Sequence, residues 1–234
     1  MIPVGDSTRR RITPYVNVGI IVACVLVFLY ELSLNAFEVN EFFQDWGVVP
    51  AQLVDWWGSP SSVEEPATVV TAMFIHGGWL HLIGNMLYLW VFGDNVEDAM
   101  GHGRYLLFYL LAGGGAVALQ VFLDQDNVIP MVGASGAIAG VLGAYLVLYP
   151  RATVAVLIPW FWFFGAFPVP AAFLIIFWFL LQLLNSVASL GTATGVTEGI
   201  AFWAHVGGFL TGLALVWVFR RPRPRRPSPP PVMW

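Results

Sequence analysis

Four polar side chains stand in stretches that are otherwise apolar, and their types suit acyl-transfer chemistry. Ser135 lies between Ala134 and Gly136 in the run PMVGASGAIAGVLGAYLVLYP (130–150), and His205 lies in AHVGGFLTG. His81 and Asn85 are four residues apart in HLIGN, a spacing that puts both on one face of a helix. A serine hydroxyl is a weak nucleophile until a neighbouring base takes its proton, and imidazole is the commonest such base. Side-chain N–H groups on the His81/Asn85 face, with backbone N–H groups at a helix start, could hold a developing oxyanion. Each residue also has a bland reading. Ser135 alone suits helix packing, His205 and Asn85 alone suit interhelical hydrogen bonds, and only the combination carries chemistry.

These residues must be positioned inside a membrane. The chain has 234 residues, of which 58% are hydrophobic and 10% charged, with a mean hydropathy of +0.75. Soluble domains carry about a quarter charged residues. The apolar residues come in blocks, so the expected fold is all-α, a polytopic bundle of membrane helices. With roughly 20 apolar residues needed per span, six spans are predicted, over residues 16–34, 77–92, 104–123, 131–149, 168–184 and 200–219. The domain layout is then an N-terminal segment (1–15), a six-span membrane domain (16–219) and an Arg/Pro-rich tail (220–234). The first block follows Arg9, Arg10 and Arg11 but is long for a signal peptide and lacks a small-residue cleavage site, so it is read as a retained span. Cys24 is the one cysteine and has no partner for a disulfide within the chain, which suits a small buried residue.

Arginine sets the expected orientation, because the chain has no lysine. Arg9, Arg10, Arg11, Arg104, Arg151, Arg220, Arg221, Arg223, Arg225 and Arg226 all fall on one side of a six-span layout. The acidic loop 35–66 falls on the other, with Glu38, Glu41, Asp45, Asp55, Glu64 and Glu65. By the positive-inside rule both termini are cytoplasmic, and a plasma (inner) membrane location is expected. The tail should be disordered and could rest on anionic lipid. No nucleic-acid module is present. Residues 152–170 are apolar but interrupted by Pro159, Pro168 and Pro170, and read as an aromatic segment at the inner interface carrying Trp160 and Trp162. Trp46, Trp56 and Trp57 place part of the long loop in the outer interface. Asp94, Glu97 and Asp98 read as helix caps or partners of Arg104, and His102 as an exposed turn residue.

In this layout the second, fourth and sixth spans all enter from the outside, so His81, Asn85, Ser135 and His205 share a depth. Ser135 lies about 6 Å along its helix from Met131, and His205 about 7–8 Å from residue 200. Gly136, Gly140 and Gly143 on one helix and Gly208 and Gly212 on another permit close backbone approach. That approach would bring serine and histidine within hydrogen-bonding reach. His76 precedes His81 by five residues, about 140° round a helix, which argues against a two-histidine metal face. It reads as a residue of the outer loop junction. The run Gly133–Ala137 only approximates the G-x-S-x-G elbow, and no soluble hydrolase domain accompanies it.

The segments HGGWLHLIGNMLYLWVFGDNVED, GASGAIAGVLGAYLVLYPRA and AHVGGFLTG together resemble the rhomboid family of intramembrane serine proteases, over residues 14–220. The resemblance implies a nucleophile at Ser135, in the motif Gly133-Ala134-Ser135-Gly136. It implies a general base at His205, in a motif with Ala204, Gly208 and Gly212. His81 and Asn85, in a motif with His76, would assist the oxyanion, with Gly133 and Ala134 beside the serine. It also implies a six-helix fold, transmembrane protein substrates, and no metal, ATP or cofactor. Two features depart from the family pattern. No arginine lies between Arg11 and Arg104, so a Trp-Arg pair cannot hold the first outer loop. Ala139 stands where some members place a tyrosine against the histidine, leaving Phe202, Trp203 or an aromatic of another helix to orient His205. An intramembrane serine endopeptidase is the favoured class, and a non-catalytic binder of transmembrane helices is the alternative. A transporter is disfavoured, because no acidic residue lies mid-span to bind a coupling ion.

Overall fold

The computed structural model describes residues 2–59, 64–160, 163–189 and 201–222. Strand β1 (Ile2–Asp6) leads into helix α1 (Tyr15–Glu31). The segment after α1 is built from α2 (Ala36–Trp46), α3 (Pro50–Gly58) and α4 (Glu64–Thr71). A turn of tight helix, Ala72–Phe74, precedes α5 (Trp79–Tyr88), which continues through a wide turn, Leu89–Gly93, into α6 (Asp94–Met100). Helices α7 (His102–Leu123) and α8 (Ser135–Leu148) follow, then strands β2 (Thr153–Trp160) and β3 (Phe163–Pro170), then α9 (Ala171–Ser189) and α10 (Phe202–Phe219).

Three of the described helices are long and apolar enough to cross a bilayer: His102–Leu123, Ala171–Ala188 and Phe202–Phe219. Pro66–Phe74 with Trp79–Met100 makes a fourth candidate, bent by 90°, and Tyr15–Glu31 and Ser135–Leu148 are shorter apolar helices. The chain is a predominantly helical, multi-pass membrane protein. Helix α8 is 14 residues long, five shorter than its predicted span, because residues 131–134 precede the helix and Tyr149 follows it as the C-cap.

Helices α7, α8 and α10 form the centre, and glycine sets their separation. A Cβ on Gly208 would lie 1.9 Å from the carbonyl oxygen of Gly136, and one on Gly212 would lie 2.1 Å from that of Gly140. The expected small-residue faces therefore meet backbone to backbone, which maximises dispersion contact where lipid supplies no hydrophobic drive.

The expectation of an all-α chain needs correction: within 152–170, Thr153–Trp160 and Phe163–Pro170 pair antiparallel, and β1 joins β2 as a third strand in the order β1-β2-β3. Alternation explains it: Val154 and Val156 are fully buried in the core cluster, while Ala155 and Leu157 are only half-buried. Their burial stabilises by about 1.5–3 kcal/mol each. The prolines that argued against a helix are compatible with strands that lack a partner on one side. Pro168 and Pro170 lie on the edge strand β3, and Pro159 lies beyond Ile2↔Leu157, the terminal β1–β2 pair. Trp160 ends β2, and Trp162 lies outside the described residues, as do residues 223–234 of the expected disordered tail.

The arginine-rich end is organised by carboxylates. Arg10 pairs with Asp94 at 3.0 Å, in place of the expected partner Arg104. Asp98 accepts from the backbone N–H groups of Arg11 and Ile12. Buried Glu97 accepts from Val16 N–H at 3.1 Å and Asn17 N–H at 2.7 Å, capping α1 with negative charge where its dipole is positive. His102 is not simply exposed, since its Nδ1 lies 2.5 Å from the Glu97 carboxylate. Asp6 ties β1 to the bundle through Tyr145, Thr8 and Asn95. The Arg221 N–H donates to Ala99 O at 2.9 Å. These contacts gather both ends of the membrane region at the pole opposite Ser135 and His205.

At the other pole, backbone and side-chain bonds do what a Trp-Arg pair cannot do here. Val48 and Met131 exchange N–H···O bonds of 3.0 and 2.7 Å, and Ala51 N–H donates to Asn127 O. The Thr71 hydroxyl donates to Trp46 O at 2.7 Å. The segment α2–α4 is thus pinned to the stretch that delivers Ser135.

Candidate active site

Ser135 is the first residue of α8 and His205 lies in the first turn of α10. Both are nearer their helix starts than predicted, His205 lying about 4.5 Å of rise from Phe202 in place of the predicted 7–8 Å. The shared depth follows from the close packing of α8 on α10. His205 Nε2 stands 2.8 Å from Ser135 Oγ.

His81 and Asn85 lie on α5 and converge on the bend before Ser135. Gly133 has φ of +125°, and a Cβ there would lie 2.6 Å from His81 Nε2 and 3.6 Å from Asn85 Nδ2. Glycine is therefore required twice, by backbone conformation and by space. The N–H of Gly133 donates to Ala72 O at 2.8 Å, so this residue contributes room and not the free donor expected of it. Ala134 is fully buried, and its carbonyl accepts the first bond of α8, from Ile138 N–H. The N–H groups of Ser135, Gly136 and Ala137 thus precede the helical ladder. Asn85 Nδ2 is buried and has no hydrogen-bond partner among the described residues, a donor held in reserve beside the serine.

His76 departs from the helical-wheel reading. Helix α5 begins only at Trp79, so the turn at Gly77 and Gly78 folds the His76 ring back to 5.2 Å from the His81 ring, edge to face. Its backbone N–H donates to the buried carboxylate of Glu31 at 3.1 Å. Among the described residues no three His, Cys, Asp or Glu side chains gather as a metal site would need.

Two residues of α9 were missing from the sequence reading. Gln182 Oε1 lies 2.8 Å from His205 Nδ1, and the Trp178 ring lies 5.8 Å from the imidazole. The signal was present as a polar residue in the apolar run FWFLLQLLN, four residues after a tryptophan. Trp178 belongs to another helix, one of the alternatives left open for orienting His205. On α7, Gln120 Oε1 accepts from Ala204 N–H at 3.2 Å, fixing the turn that carries His205. A cavity of about 700 Å³ fronts the site, lined by Leu80, Gly84, Tyr88, Ile138 and Leu142 around Ser135 and His205.

A Rhomboid domain model matches residues 63–222. The chain belongs to the rhomboid family. RHOMBOID-like protein 6, mitochondrial, of Arabidopsis thaliana is 29% identical over 198 residues, covering 83% of this chain and 57% of the relative. RHOMBOID-like protein 2 of the same plant is 34% identical over 200 residues, covering 83% and 56%. Rhomboid protease GluP of Bacillus subtilis (strain 168) is 35% identical over 130 residues, covering 53% and 23%. This rhomboid chain thus spans little more than half the length of the two plant relatives and under a quarter of the third.

Proposed function

We propose that this rhomboid-family chain is an intramembrane serine endopeptidase that cleaves transmembrane or membrane-adjacent segments of other membrane proteins. The observation that carries the reading is the 2.8 Å contact between Ser135 Oγ and His205 Nε2. In the reaction His205 takes the Ser135 proton as Oγ attacks the scissile carbonyl. The N–H of Ser135, the unpaired amide of Asn85 and the ring of His81 receive the oxyanion. His205 then protonates the leaving amine, and water hydrolyses the acyl-enzyme by the same path in reverse. Family membership and the name of the Bacillus subtilis relative support protease chemistry.

The topology proposed with it has six spans, α1, α5 continuing into α6, α7, α8, α9 and α10, with both termini cytoplasmic in a plasma membrane. It keeps 1–15 and 220–234 as flanking segments of a 16–219 membrane domain. The arginine-rich pole then faces the cytoplasm and the site faces outside.

Labelling of purified protein with a serine-directed fluorophosphonate tests the chemistry. Wild type is expected to label and Ser135→Ala to stay dark, with a transmembrane substrate cleaved only by wild type. A dark wild type with retained helix binding would favour the non-catalytic binder.

A further inference from the structure

We infer that Gln182 is the positioning residue of the site, a neutral amide from α9 that fixes the tautomer and the plane of His205. The inference rests on the protease reading above and adds a third member to the Ser135–His205 pair.

The geometry is a chain of two contacts. Ser135 Oγ lies 2.8 Å from Nε2 of His205, and Gln182 Oε1 lies 2.8 Å from Nδ1 of the same ring. A neutral imidazole carries one N–H and one bare nitrogen. Gln182 Oε1 can only accept, so Nδ1 holds the proton and donates to it. Nε2 is left with its lone pair toward the serine hydroxyl, which is the form a general base needs. With no acceptor at Nδ1 the proton could equally sit on Nε2, and the base would be blocked.

Trp178 and Gln182 are one turn apart on α9, so they present one face to the imidazole. The tryptophan ring lies 5.8 Å from the imidazole and tilted to it by 46°, limiting rotation that the single hydrogen bond alone would allow. This supplies from α9 the orienting contact that Ala139 on α8 cannot make. A glutamine suits the site because it carries no charge into an apolar helix while its amide oxygen still polarises the ring N–H.

The test uses full-length protein carrying Gln182→Leu, Gln182→Asn or Gln182→Glu. It reads kcat and KM on a transmembrane substrate, the rate of Ser135 labelling by fluorophosphonate, and thermal unfolding in detergent. Leucine removes the acceptor, and asparagine withdraws it by one methylene. Both are expected to lower kcat and the labelling rate together by about 10–10²-fold, the scale of a 1 Å misplacement, with KM and unfolding temperature near wild type. Glutamate keeps an acceptor at the same reach and is expected to recover most of the labelling rate. Should the charged variant fail to accumulate, the leucine variant decides alone, being apolar in an apolar helix. Unchanged labelling in Gln182→Leu overturns the inference, as does a loss confined to KM, or a folded Gln182→Glu as slow as leucine. Wild type that does not label at Ser135 overturns the protease reading and this inference with it, whereas labelling that is indifferent to Gln182 overturns only the latter.

Discussion

Ser135 and His205 are separated by 70 residues in sequence and by 2.8 Å in space. Because they would act as one unit, Ser135→Ala and His205→Ala should each abolish proteolysis, and the double variant should be scarcely slower than either single one. Comparable turnover by either single variant would remove the pair from the mechanism. The oxyanion donors are a different case, since backbone N–H groups persist when a side chain is lost. Asn85→Ala is expected to slow turnover by about 10²–10³-fold. A wild-type rate in the His81→Ala, Asn85→Ala double variant would exclude both. At this scale the sequence was informative about residue type, since a serine or histidine in an apolar run costs free energy and needs a reason. It was weaker on donors already in use. Nothing local to Gly133 indicates that its N–H is bound to Ala72.

Two helices carry the reacting groups, and their distance is set by glycine. Gly208→Ala would drive a methyl group into the Gly136 carbonyl, a backbone atom that cannot rotate away. The expected cost is about 1–3 kcal/mol of stability, with turnover falling about 10²-fold as His205 shifts from Ser135. Gly114→Ala is the control, because nothing lies within 4 Å of a Cβ there. Thermal unfolding and turnover measured on both variants separate close approach from helix propensity. A neutral Gly208→Ala would refute the role given to the α8–α10 contact. The glycine spacing was legible in the sequence because it is periodic. The β1-β2-β3 sheet was not, because an apolar run with prolines fits an interfacial segment or a hairpin equally well until a third strand is found, about 150 residues away in sequence.

For the whole molecule, the poles distribute charge and chemistry oppositely. Cys24 is fully buried, which leaves a quiet background for single introduced cysteines. Glu41→Cys in α2 is expected to react with an impermeant thiol reagent from outside intact cells, and Arg151→Cys only after lysis. The reverse pattern would overturn the proposed orientation. The site lies at the N-terminal ends of α8 and α10, which face outside in the proposed orientation, so cleavage should fall near the outer end of a substrate span, at small or helix-weakening residues such as Gly, Ala or Ser. Mass-spectrometric mapping of a cut in the cytoplasmic third would refute either the topology or the assigned site.

Hydropathy, residue type and short spacings are local properties, and they suffice to read membrane embedding, the candidate serine and histidine, the His81/Asn85 face and the glycine faces from the chain alone. Tertiary structure decided which groups meet. The Gln182 contact to His205, the fold-back of His76 onto His81, the Glu97 cap on α1 and the loop pinned at Val48 and Met131 all join residues from different elements. No local rule fixes such distances, because they are set by how closely whole helices pack and where each helix begins. Where a helix starts decides which side chains meet: α5 begins at Trp79, so His76 folds back onto His81, and α8 begins at Ser135, so the serine stands at its first turn.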